Sequence, residues 1–152
     1  MNRYFELLLN EGREILLKHL PASSCVSSTR FAVECLKLQG YEAYPLPVHV
    51  VIPSPFIIIG RNPSNIVPQG NWNGHLVAIV ENELLLDMTL DQTGILPAAV
   101  FELKDFPMAC QLGDHVVIYF KDCDFAQFES SAAWMERWKP AFEEWQNMNL
   151  KG

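Results

Sequence analysis

The stretch Gly74-His75-Leu76-Val77-Ala78-Ile79-Val80-Glu81-Asn82-Glu83-Leu84-Leu85-Leu86-Asp87-Met88-Thr89 decides how this chain is read. Two apolar runs, His75 to Val80 and Leu84 to Met88, flank Glu81-Asn82-Glu83, which predicts a β-hairpin. Side chains alternate between the two faces of a strand, so the loop length fixes which residues share a face. An odd-numbered loop, such as Val80 to Asn82, sets His75 directly opposite Asp87. A two-residue loop, Asn82-Glu83, would set His75 opposite Leu90 and turn Asp87 to the other face unless a bulge restored it.

Other β-branched and aromatic runs, Tyr41 to Ile52, Phe56 to Ile59 and His115 to Phe120, extend the hairpin into a sheet. Pro45, Pro47, Pro53 and Pro55 cannot donate to a ladder, which predicts that the first of these strands lies at an edge or is broken before Phe56. Upstream, residues 2–20 carry apolar side chains at helical spacing, closed by Pro21. A second helix is predicted from the region of Ser23 and Ser24, either of which can cap it, to Gln39, with Gly40 as its stop. Residues 130–148 are again helical in pattern, with Trp134, Trp138, Phe142 and Trp145 on one face and Pro140 dividing the segment. The expected class is α+β: a central antiparallel sheet with N-terminal helices packed on it and a C-terminal helix or helix pair, in one domain spanning 1–152.

Composition narrows the function classes. With 18 acidic and 11 basic residues and a net charge of -7, the chain lacks the clustered cations that a nucleic-acid backbone requires. No apolar run approaches the roughly 20 residues of a bilayer span, so no membrane partner is expected. Arg3, Glu6, Glu11, Arg13 and Glu14 interrupt any signal-peptide core. Cys25, Cys35, Cys110 and Cys123 form no Cys-x-x-Cys pair and are read as free thiols in a reducing cytoplasm. No spacing of His, Cys or carboxylates suits a metal, and no cofactor motif is present.

The chemistry-bearing residues emerge from this frame. A nucleophilic cysteine works as its thiolate, which the unpaired amides and positive dipole end of a helix's first turn favour, and Cys25 has that predicted setting. Its own backbone amide is a candidate oxyanion donor. Cys35 falls in mid-helix, and Cys110 and Cys123 are read as lying in or beside loops, where thiols act as small apolar groups. His75, at the start of a strand, is the candidate base, and Asp87 is the candidate orienting carboxylate. His49 and His115 are read as strand histidines and His19 as a helix-end histidine. The polar segment from Gly60 to Gly74 is read as a surface loop; its Trp72 is either a wall for substrate or an anchor for the loop.

Ser-Ser-Cys opening a helix that ends Leu-Lys-Leu-Gln-Gly-Tyr-Glu-Ala, then Gly-His-Leu-Val-Ala-Ile-Val, then Leu-Leu-Leu-Asp-Met-Thr, resembles the core of the transglutaminase-like superfamily. That group takes in papain-like peptidases, peptide N-glycanases, arylamine N-acetyltransferases and the leader peptidases of lasso-peptide maturation. The phrase Asp-Met-Thr-Leu-Asp-Gln is similar to bacterial and phage members of unassigned activity. The resemblance covers Ser23 to Gln92 and implies Cys25 as nucleophile, His75 as base and Asp87 as its orienting partner. It also implies a peptide, protein or small amide or acyl compound as substrate, with hydrolysis or acyl transfer as the reaction. No Gln precedes Cys25, so the upstream oxyanion donor of papain-like peptidases has no counterpart. A non-catalytic binding module on the same fold is the alternative.

Overall fold

The computed structural model describes residues 3–20, 25–59, 75–121 and 137–148. The N-terminal apolar periodicity folds as α1 (Arg3–Leu7), a π-helical turn Leu8–Gly12 and α2 (Arg13–His19), so the expected helix is widened at its middle. Helix α3 (Cys25–Leu38) is described from the cysteine onward and stops where the sequence predicts. Gly40 takes a φ of 88°, its N–H bonds the Lys37 carbonyl at 3.0 Å, and the Tyr41 N–H bonds the Leu36 carbonyl at 3.0 Å. This double closure needs a left-handed residue that glycine supplies without a Cβ clash.

Seven strands follow among the described residues: β1 (Ala43–Ile52), β2 (Ile57–Ile59), β3 (His75–Val80), β4 (Leu84–Asp87), β5 (Ala99–Glu102), β6 (Met108–Leu112) and β7 (His115–Lys121). A 3-10 turn, Leu90–Thr93, follows β4, and α4 (Lys139–Asn147) follows the sheet with Pro140 in its first turn. The pairing is antiparallel throughout, in the order β5-β4-β3-β1-β7-β6, with β2 also on β1. The protein is therefore α+β.

One sequence expectation is met by its second alternative, and another needs correction. The proline-bearing strand β1 is central rather than at an edge: β3 flanks it from Ala43 to Val48, and β7 flanks its other side only from Val48 to Val51. Pro45 and Pro47 fall in the half with one neighbour, where a missing N–H leaves no ladder bond unmade on the uncovered side. The strand does end before Phe56, in a turn at 53–56. Cys110 lies in β6, paired with Val117, not in a loop. Strands β5 and β6 escaped the sequence reading because they are short and β6, Met-Ala-Cys-Gln-Leu, holds no β-branched residue.

Alternation sorts the sheet into two apolar layers. Ala43, Ala78, Val80, Leu86 and Met88 pack against Phe31, Ala32 and Leu36 of α3, Leu8 and Leu16 of the N-terminal helical segment, and Trp138 and Trp145. Tyr4 ties these helices together: Trp145 Nε1–H donates to its hydroxyl at 3.3 Å, and the hydroxyl donates to the Cys35 carbonyl at 3.0 Å. The tryptophans at 138 and 145 are thus core, as their spacing suggests; Trp134 lies outside the described residues. On the other face, Val48, Val50, Ile52, Val77, Ile79, Leu85, Val117 and Tyr119 form a second core.

That second core is enclosed by curvature. In a flat sheet β4 and β7 would stand three strand spacings apart, about 14 Å. Yet the Tyr119 hydroxyl of β7 lies 2.9 Å from the Asp87 carboxylate of β4, and the rings of Phe101 on β5 and Tyr119 are 5.9 Å apart. The sheet is curled nearly into a barrel, and twist accumulated from strand to strand is what permits it.

Candidate functional site

His75, Asp87 and Cys25 are brought together by three devices. The first is the hairpin register. Val80 pairs with Leu84, Ile79 with Leu85 and Ala78 with Leu86, leaving Glu81-Asn82-Glu83 as the loop. Glu81 and Asn82 take positive φ, 56° and 52°, and the Glu83 N–H bonds the Val80 carbonyl at 2.9 Å. The loop is odd-numbered, so His75 and Asp87 share a face. They are not directly opposed, however: the register carries Asp87 to the level of Val77, and the histidine reaches it diagonally.

The second device is the curl, which makes the shared face an interior. His75 and Asp87 are both 0% exposed. Imidazole Nε2 lies 2.9 Å from each Asp87 carboxylate oxygen. Asp87 also accepts from the Thr89 N–H at 3.2 Å and from the Tyr119 hydroxyl at 2.9 Å. An ionised carboxylate only accepts, so Nε2 carries the proton, and in the neutral imidazole Nδ1 is then the bare nitrogen.

The third device is the packing of α3 on β3. Thr29, one helical turn after Cys25, donates its hydroxyl to the Leu76 carbonyl at 2.9 Å. This fixes the first turn of α3 over the start of β3, and Cys25, 8% exposed, meets the ring there. Nδ1 makes no formal hydrogen bond, but the Cys25 sulfur is near enough to act on the ring's charge. Burial pushes the His75 imidazole toward its neutral form. The Asp87 carboxylate foremost, and then the Cys25 side chain, outweigh burial and hold its pKa up, to about 10.

The other two cysteines among the described residues, Cys35 and Cys110, stand apart from this pair. Burial pushes the Cys35 thiol far up, and it raises Cys110 as well, with Lys104 opposing. His49 stacks on Phe120 at 4.9 Å, His115 Nδ1 lies 3.2 Å from the Ser54 carbonyl, and His19 pairs with Glu144 at 3.0 Å. None of these joins the site. Trp72 and the rest of 60–74, the capping serines 23 and 24, and Cys123 lie outside the described residues.

Sequence reasoning missed Tyr119 and Thr89. A faint signal existed for Tyr119, which alternates with Val117 on the inward face of β7, since a buried tyrosine hydroxyl demands a partner. Nothing local names that partner, because it arrives from three strands away. A cleft of about 330 Å³ opens toward the other end of β3, lined by Tyr44, Asn82, Lys104, Asp105, Phe106 and Lys121 among others, and none of Cys25, His75 or Asp87 lines it. Comparison with known proteins gave no match: no family model, no curated protein and no solved structure is similar to the chain. No helix of the described residues is long and apolar enough to cross a membrane.

Proposed function

We propose that this protein is a thiol hydrolase or acyltransferase acting on an amide, peptide or acyl bond, with Cys25 as nucleophile, His75 as base and Asp87 as the group that orients the imidazole. The observation that carries this reading is the buried His75–Asp87 pair, which engages Nε2 and leaves Nδ1 as the ring nitrogen that can exchange a proton with the Cys25 thiol of α3. Kinship with the transglutaminase-like core belongs to the same proposal. It is supported by the placement of a cysteine at a helix start, a histidine on a strand and an aspartate on the next strand.

In this mechanism the Cys25 proton rests on Nδ1 while sulfur bonds to the substrate carbonyl carbon, and the imidazolium is held by Asp87. Collapse of the tetrahedral intermediate breaks the carbon–nitrogen or carbon–oxygen bond, and the imidazolium returns the proton to the leaving group. Water or an amine then attacks the thioester, delivering its proton to Nδ1, and Cys25 is released. The Cys25 backbone amide serves as an oxyanion donor in this mechanism.

Alkylation of Cys25 by iodoacetamide, followed site by site by mass spectrometry across pH, tests the reading. An activated nucleophile reacts at its plateau rate already at neutral pH, and His75→Gln slows it. A rate that climbs through the free-thiol range near about 8.5 and ignores His75→Gln would sink the enzymatic proposal. It would favour a non-catalytic binding module instead, for which the cleft between Tyr44 and Lys121 is the supporting observation.

A further inference from the structure

We infer that Tyr119 is a positioning residue of this site: its hydroxyl clamps the Asp87 carboxylate from across the curled sheet and so sets both the orientation and the basicity of the His75 imidazole. The inference rests on the proposed triad for its catalytic meaning, but its physical content stands on the geometry alone.

A carboxylate at 0% exposure is costly unless its lone pairs are met. At Asp87 they are met from three elements. His75 comes from β3, the Thr89 N–H from the chain just beyond β4, and the Tyr119 hydroxyl from β7. The first two are within two residues or one strand of Asp87 and would persist in a flat sheet. The third exists only because the sheet curls.

The direction of the Tyr119 bond is fixed. Burial first, then the Asp87 charge, and then Cys110 from β6 push the phenol well above its ordinary pKa, so it remains an O–H donor. Donation to Oδ2 draws negative charge from a carboxylate whose two oxygens both face Nε2 and prevents the group from rotating off the ring. The groups acting on the imidazole among the described residues are Asp87 and Cys25. Tyr119 reaches it through Asp87.

Packing alone would explain a tyrosine here, since its ring lies 5.9 Å from that of Phe101. Tyr119→Phe keeps that ring contact and removes only the hydroxyl. The test is an NMR titration of histidine-labelled protein in a Cys25→Ala background, where the imidazole titrates without the thiol. With the hydroxyl gone, Asp87 holds the imidazolium more strongly, and the His75 pKa should rise by about 0.5 to 1 unit, a 3- to 10-fold gain in proton affinity. Incorporation of 3,5-difluorotyrosine at 119, a stronger donor in the same shape, should move it the other way, and serves if Tyr119→Phe fails to fold.

Coincident titrations in all three proteins would overturn the inference and leave Tyr119 as packing. The alkylation experiment fails or succeeds separately: an inert Cys25 beside a His75 that responds to Tyr119 would retain the clamp and discard the catalysis.

Discussion

Replacing Asp87 by asparagine is the most searching perturbation of this protein, because shape is kept and charge is lost. The carboxylate faces three donors: His75 Nε2–H, the Thr89 N–H and the Tyr119 O–H. Asparagine offers one oxygen and places an NH2 group among them, so at least one buried donor confronts another. Removing one partner of a buried ion pair costs about 3 to 5 kcal/mol. The cost must also depend on pH. The folded pKa of His75 is raised, to about 10, above an unfolded value of about 6.5, so the folded protein holds a proton that the unfolded chain releases. That stabilisation is complete below the unfolded value and is lost as pH rises through the folded one, with a slope of up to about 1.4 kcal/mol per pH unit between them. In Asp87→Asn, burial dominates the imidazole and the slope vanishes above neutrality. Urea denaturation of both proteins at pH 6, 7.5 and 8.5 reads the difference, in which contributions common to both cancel. The gap should be widest at pH 6 and narrow by about 1.4 kcal/mol from pH 7.5 to 8.5. A gap below about 1 kcal/mol, or one constant across pH, would refute the picture of a buried, charged His75–Asp87 pair.

Two further substitutions probe how the scaffold holds the site. Arg13, itself 7% exposed, reaches across to Asp91 through Nε at 2.9 Å and Nη2 at 3.1 Å, pinning α2 to the turn that follows Asp87. Arg13→Met should cost about 1 to 3 kcal/mol in urea denaturation, and a cost near zero would mean that this pair is mere surface decoration. Gly40→Ala puts a Cβ on a residue at φ 88° and should lower stability by about 1 kcal/mol without altering Cys25 alkylation, since it loosens only the far end of α3.

What the amino-acid order determines by itself is short-range. Gly40 ends α3 because its left-handed conformation closes the helix. The sequence leaves a three-residue and a two-residue loop open; once Glu81-Asn82-Glu83 is the loop, His75 and Asp87 share a face because strand side chains alternate with a period of two, a parity that the observed two-residue shift in register preserves. Even so, the expected direct opposition of His75 and Asp87 gave way to a diagonal contact, since loop placement depends on which backbone groups close the turn.

The tertiary structure alone decides the rest. No local signal states that β1 is central despite Pro45 and Pro47, because only the staggered arrival of β3 and β7 makes room for the missing donors. Nor does any local signal join Tyr119 to Asp87, residues 32 apart in sequence and three strand spacings apart in sheet order. Twist summed over the intervening strands closes that distance, buries the carboxylate and gives the imidazole its charge. It is a property of the whole sheet, which no window of the sequence contains.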